Sequence, residues 1–145
     1  MNNTLAAATL VALATVSNAA PVWGADAATD TEQVKQQALA IPNLQQAAAS
    51  AAGYKSTNIK VTSTAHQVTI QVVSSKPSGA DTASRKAESA TIVSAIAKAI
   101  IGKPEFAQVV TMHVDYVNRL GNGAQVIEGF DFHKTANGAF AFHQT

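Results

Sequence analysis

Two short stretches of the chain alternate between apolar and polar residues. One is Ile59-Lys60-Val61-Thr62-Ser63 and the other is Val68-Thr69-Ile70-Gln71-Val72. A period of two places every second side chain on one face of a strand, and β-branched residues suit that conformation. The connection Thr64-Ala65-His66-Gln67 is short and polar. The pair therefore reads as a β-hairpin that turns Ile59, Val61, Val68, Ile70 and Val72 toward a core. A third alternation sets Val110, Met112, Val114 and Tyr116 against Thr111, His113 and Asp115, and predicts a third strand.

The turn Arg119-Leu120-Gly121-Asn122-Gly123 leads into a fourth strand, Gln125 to Lys134. Its period slips. Strict alternation would bury Glu128 along with Phe130 and Phe132. A β-bulge at Gly129 repairs this by putting Ile127, not Glu128, on the core side. The chain then turns at Ala136-Asn137-Gly138. A three-residue turn with Gly138 in the left-handed region pairs Phe132 with Phe142 and Lys134 with Phe140, so that the aromatic side chains share one face.

Helical periodicity is strongest from Thr82 to Ile101. Asp81 or Thr82 serves as the cap, and Gly102 with Pro104 ends the helix. Ala83, Ala87, Ala90, Val93, Ala97 and Ile100 form one face, widened by Ile92 and Ile96. Arg85, Lys86, Glu88 and Lys98 read as the solvated side. Before it, Lys76-Pro77-Ser78-Gly79 is a turn cluster. Nearer the N-terminus, Thr29 and Glu32 stand in capping-box spacing. They predict a helix over Thr31–Ala40, interrupted at Pro42, restarted over Leu44–Ala52 and stopped at Gly53. Alanine dominates this region, so its packing is expected to be weak. Together the elements predict an α+β fold: a four-stranded, mainly antiparallel sheet with helices packed on one face, the main one Thr82–Ile101.

The segment before these elements differs in kind. Met1 to Ala25 contains no charged residue, and Leu5–Val16 reads LAAATLVALATV. A membrane-spanning helix needs about 20 apolar residues. The stretch is shorter and is followed by Asn18, Pro21 and small residues, the layout of a secretory signal peptide. Residues 1–25 are thus expected to be a cleaved signal, residues 26–145 a single small domain, and the mature protein periplasmic or secreted with no transmembrane span. Cleavage after Ala25 would remove Trp23, the only tryptophan.

Composition limits the chemistry. Hydrophobic residues make up 47% and charged residues 13%, which fits a packed core rather than an open charged chain. Ten Lys and Arg stand against nine Asp and Glu, for a formal net charge of +1. That balance gives no general footprint for nucleic acid. There is no cysteine, hence no disulfide, thiolate metal site or cysteine nucleophile. Stability must come from packing and backbone hydrogen bonds.

The order helix, strand, strand, helix, strand, strand over Thr31–Thr145 resembles the BON family of small periplasmic domains. The resemblance implies an envelope role, in a family linked to envelope stress and phospholipid contact. That family usually shows a Gly-x-Val-x-Leu-x-Gly pattern at its second strand. The matching stretch here, His66-Gln67-Val68-Thr69-Ile70-Gln71-Val72, has neither glycine, so no residue role carries over. His113-Val114-Asp115-Tyr116-Val117, with Gly129-Phe130-Asp131-Phe132-His133-Lys134, is also similar to small exported proteobacterial proteins of unknown function.

The remaining candidate chemistry is polar and C-terminal. His113 and Asp115 share a face of the third strand, and Asp131 and His133 share one of the fourth. The register above sets His113 opposite Asp131 and Asp131 opposite His143. Imidazole and carboxylate suit a divalent ion, which makes His113, Asp131, His133 and His143 the candidate metal ligands. The alternative is an ordinary wet sheet face. His66 reads as a solvent-facing turn residue. No Gly-x-Ser-x-Gly elbow, phosphate-cradling glycine loop or His-Glu-x-x-His helix is present. The expectation is a non-enzymatic binding or envelope-associated module with an envelope or extracellular partner. A divalent-metal-binding protein comes next, and an acid–base hydrolase using Asp131 and a histidine last.

Overall fold

The computed structural model describes residues 23–74 and 81–144. In chain order these form α1 (Trp23–Ala52), β1 (Ile59–Ser63), β2 (Gln67–Ser74), α2 (Thr82–Ile100), β3 (Thr111–Leu120), β4 (Gly123–Lys134) and β5 (Phe140–His143). The strands make one sheet in the order β1-β2-β3-β4-β5. Neighbours are antiparallel except at the centre, where β2 and β3 run parallel. The α+β class stands. The expected four strands become five, because Phe140–His143 pairs with β4 as a strand of its own.

The hairpin β1–β2 has the expected alternation. Ile59, Val61, Val68, Ile70 and Val72 are buried beneath the helices. A parallel β2–β3 pair needs a long crossover, and α2 is in that crossover. Asp81 caps α2 by accepting a hydrogen bond from the Ser84 amide at 2.7 Å. Two-residue and three-residue turns close β3–β4 and β4–β5, with Gly121 and Gly138 in the left-handed region that glycine tolerates. The last hairpin has the predicted register, Phe132 opposite Phe142 and Lys134 opposite Phe140.

Four expectations are corrected. First, α1 is continuous through Pro42 and begins at Trp23, so Thr29 and Glu32 lie inside it. Proline removes one N–H and orphans the carbonyl four residues back. Ala38 and Pro42 are both exposed, so water can take that carbonyl. Second, α1 is firmly seated. Leu44, Ala48 and Ala49 are buried, and small side chains let the helix approach closely. Gln37 and Gln33 donate to the Glu105 carbonyl at 2.8 and 2.9 Å, and Gln45 donates to that of Ile59 at 2.7 Å.

Third, the buried stripe of α2 runs through Ser89, Ile92, Val93, Ile96 and Ile100, while Ala83, Ala87 and Ala90 are exposed. Its N-terminal continuation is Arg85 and Glu88, which face the sheet. Fourth, the bulge in β4 is at Ile127, not Gly129. Tyr116 pairs with Glu128 and Val117 with Val126, which leaves Ile127 unmatched and 43% exposed. Glu128 therefore lies on the helix side, where Arg85 meets it at 2.7 Å. The signal segment lies outside the described residues except for Trp23, Gly24 and Ala25, and the Lys76–Gly79 turn lies wholly outside them. No helix among the described residues is long and apolar enough to cross a membrane.

Candidate functional site

Both helices pack on one face of the sheet, so the other face carries the polar half of each strand's alternation. Register alone brings the predicted residues into a row. His113 lies opposite Asp131, and Asp131 opposite His143. Asp115 and His133 sit one pleat to either side.

Within this row His113 is held at both ring nitrogens. Nδ1 lies 2.6 Å from Asp131 Oδ1 and Nε2 lies 2.8 Å from Asp115 Oδ1. A ring that donates from both nitrogens is the imidazolium. Partial burial disfavours that cation, but the hydrogen bonds and negative charges of Asp131 and Asp115 outweigh it. The His113 pKa is held above the ordinary histidine value. Gly129 makes the arrangement possible. A Cβ there would lie 3.1 Å from both Asp115 Oδ1 and His113 Cε1. The absent side chain is the space the ring occupies, and this, rather than a bulge, is what Gly129 does.

His133 and His143 are on the same face but form a separate pair. Their rings stack with centroids 4.3 Å apart and planes 21° from parallel. An imidazole lone pair lies in the ring plane, so stacked rings aim their nitrogens side by side rather than at one point. One ion could take both only if the rings left the stack. Among the described residues no group of three or more His, Asp or Glu side chains is disposed to hold a metal ion. The four candidate ligands share a face, but they are spent in two local pairings. His66 is exposed beside the β1–β2 turn, with Nδ1 3.3 Å from the Gln108 carbonyl.

The helix side holds a second polar cluster that alternation alone does not reveal. Glu88 of α2 accepts from the Tyr116 hydroxyl at 2.9 Å and from that of Tyr54 at 3.2 Å. Burial, reinforced by Glu88, raises both phenol pKa values, that of Tyr116 the more. The Arg85–Glu128 pair lies beside them, with side chains 13% and 20% exposed. The available signal was Glu128 itself, a carboxylate at a core-facing position, which demands a cation.

A third feature is concave. A groove of about 780 Å³ opens between the C-terminal end of α2, the 3-10 turn Pro104–Phe106 and the β4–β5 hairpin. Ala97, Ile101 and Phe140 supply its accessible apolar lining, over the buried side chains of Val93, Ile100 and Phe106. Ser94 stands on its wall. The size falls within the roughly 300–1,000 Å³ of small-molecule clefts. Nothing in the local sequence pattern predicts it, because it depends on how the hairpin and the helix end meet.

Comparison with protein-family models, curated proteins and solved structures finds no match to this chain.

Proposed function

We propose that this protein is a non-enzymatic binding module, exported to the periplasm or beyond, that takes a small apolar molecule into the groove beside the C-terminal end of α2. The observation that carries the reading is the groove, a concave apolar surface of ligand-cleft size on a small domain. The polar sheet face supports it by contrast. His113 has both nitrogens engaged by carboxylates, which leaves that ring no free lone pair to act as a base. The export reading rests on the uncharged N-terminal segment and its small-residue tail.

The test is titration of the full domain with a neutral environment-sensitive dye, N-phenyl-1-naphthylamine, in parallel with Ser94→Trp. Ser94 is exposed and lines the groove, so the indole obstructs the cavity without entering the core. Saturable one-to-one binding, weakened in the variant, is the expected result. Equal binding by both proteins would place the dye elsewhere and end this reading.

A divalent-ion reading draws on the common face of His113, Asp131, His133 and His143, and it requires both local pairings to open. Calorimetric titration with Zn²⁺ checks it. Binding should weaken as pH falls through about 6.5 if imidazoles are the ligands, and His133→Ala with His143→Ala should abolish it.

A further inference from the structure

The groove has a charge asymmetry that its apolar lining does not require. Three lysines stand around it: Lys98 in the last turn of α2, Lys103 after that helix, and Lys134 at the end of β4. Among the described residues that line it, none is Asp or Glu. Nor is any of the three lysines in an ion pair among the described residues.

Lys98 alone would be explained by its helix, since the carbonyl ends of a last turn favour a cation. Lys103 follows directly on the same helix end and shares part of that reason, but Lys134 has none, since it comes from the end of β4. The Lys134 amine makes one long contact, 3.5 Å to the Ala107 carbonyl. Lacking an ion pair is not by itself distinctive, since among the described residues Lys55, Lys60 and Arg119 have none either. What sets Lys98, Lys103 and Lys134 apart is that they share one apolar cleft with no carboxylate in its lining, whereas three other cations are matched. Arg85 meets Glu128, Lys35 meets Glu32, and Lys86 lies over the Phe142 ring at 3.7 Å. Three unmatched cations converging on one apolar cleft, in a chain of nearly balanced charge, mark a place where negative charge is to be supplied from outside.

We infer that the groove binds a single-chain amphiphilic anion of the fatty-acid type, with its hydrocarbon tail against Ala97, Ile101 and Phe140 and its carboxylate among Lys98, Lys103 and Lys134. The inference rests on the groove reading and names its ligand class. The tail gains from leaving water in proportion to its buried length. The head gains from cations that no protein carboxylate neutralises. Lysine presents a compact point charge on a flexible stem, not the planar fork of arginine. The site is therefore selective for charge sign and tail length, and tolerant of the headgroup's shape. A volume of about 780 Å³ suits one chain.

The experiment is displacement of the neutral dye by monomeric decanoate, decyl sulfate, decanol and decyltrimethylammonium, at low and high salt. It is run on the wild type and on K98Q/K103Q/K134Q. At low salt both anions should bind about tenfold tighter than decanol, as several partly exposed charge contacts allow, and the cation should bind weakest. High salt should shrink the preference. Each methylene added between octanoate and decanoate should tighten binding about fourfold.

The triple variant should lose the preference for anions while binding decanol as before. If it does not fold by circular dichroism, Lys103→Gln alone should lose part of the preference. Equal affinity of the wild type for decanol and decanoate would overturn the inference and leave an apolar groove standing. No displacement by any decyl compound, with the dye bound in the groove, would overturn this ligand class. No dye binding would overturn the groove reading beneath it. Binding to anionic vesicles without binding to monomeric decanoate would also overturn it, since the ligand would then be a surface rather than a single chain.

Discussion

The two faces of the sheet each gather carboxylates around a hydrogen-bonding partner, and they do so by different means. On the open face, Asp115, His113 and Asp131 are strand neighbours, held together by register. On the covered face, Glu88 and Glu128 find Tyr54, Tyr116 and Arg85 from elements far apart in sequence, within the helix layer and across its boundary with the sheet. The open cluster can lose a member and be repaired by water. The covered cluster is repaired less easily, because the Arg85 and Glu128 side chains are on average less exposed than those of His113, Asp115 and Asp131. The same charges therefore matter more under α2 than they do opposite it.

Substitutions should rank accordingly. The reference is Ile96→Ala, which empties a fully buried position on α2. It should cost about 2–5 kcal/mol in a urea melt. Arg85→Ala should follow at about 1–3 kcal/mol, because it leaves Glu128 partly buried without its cation. A cost within about 0.5 kcal/mol, the usual value for a surface residue, would erase the distinction between the two faces.

Gly129→Ala acts on the open face. Its new methyl group must displace the His113 ring, at about 1 kcal/mol for a crowded contact with a wet side to relax into. The His113 pKa, followed by NMR, should then fall back toward the ordinary value.

The smallest effect belongs to His113→Asn, and its size depends on pH. The folded-state pKa of His113 is raised, so the folded protein holds that proton more tightly than the unfolded chain does. The clamp's contribution is fully present below the unfolded value of about 6.5. It is lost as pH rises through the raised value. Wild type and variant should thus differ most on the acid side of that window and converge above it. A difference that grew with pH would mean that His113 is held neutral.

What could be read from the sequence divides along the same line. Strand alternation placed β1, β2 and β3. The pairing of aromatic residues fixed the β4–β5 register and set Asp131 opposite His143, while the β3–β4 turn and one extra residue in β4 set His113 opposite Asp131. Period and register are local, so the open face was legible down to which residues are opposite one another. It was not legible that His133 would stack on His143 instead of sharing an ion, since rotamers lie beyond register. On the covered face, alanines looked like the buried stripe of α2 because they are apolar. Arg85 and Glu88 looked solvated because their partners are far away in sequence. Helix propensity likewise said little about Pro42, whose missing hydrogen bond is harmless on the wet side of α1.

The central parallel pairing has a kinetic consequence. The β1–β2 hairpin and the β3–β4–β5 meander each close through short turns and need few distant contacts. The β2–β3 ladder unites them only after the whole crossover bearing α2 has been drawn in. The entropy of closing that loop must be met before its hydrogen bonds return anything. Folding should therefore proceed from two early local units to one late seam, and docking of α2 across that seam should set the rate. Destabilising changes in α2 and β3 should slow refolding, whereas those at the edge strands β1 and β5 should chiefly hasten unfolding.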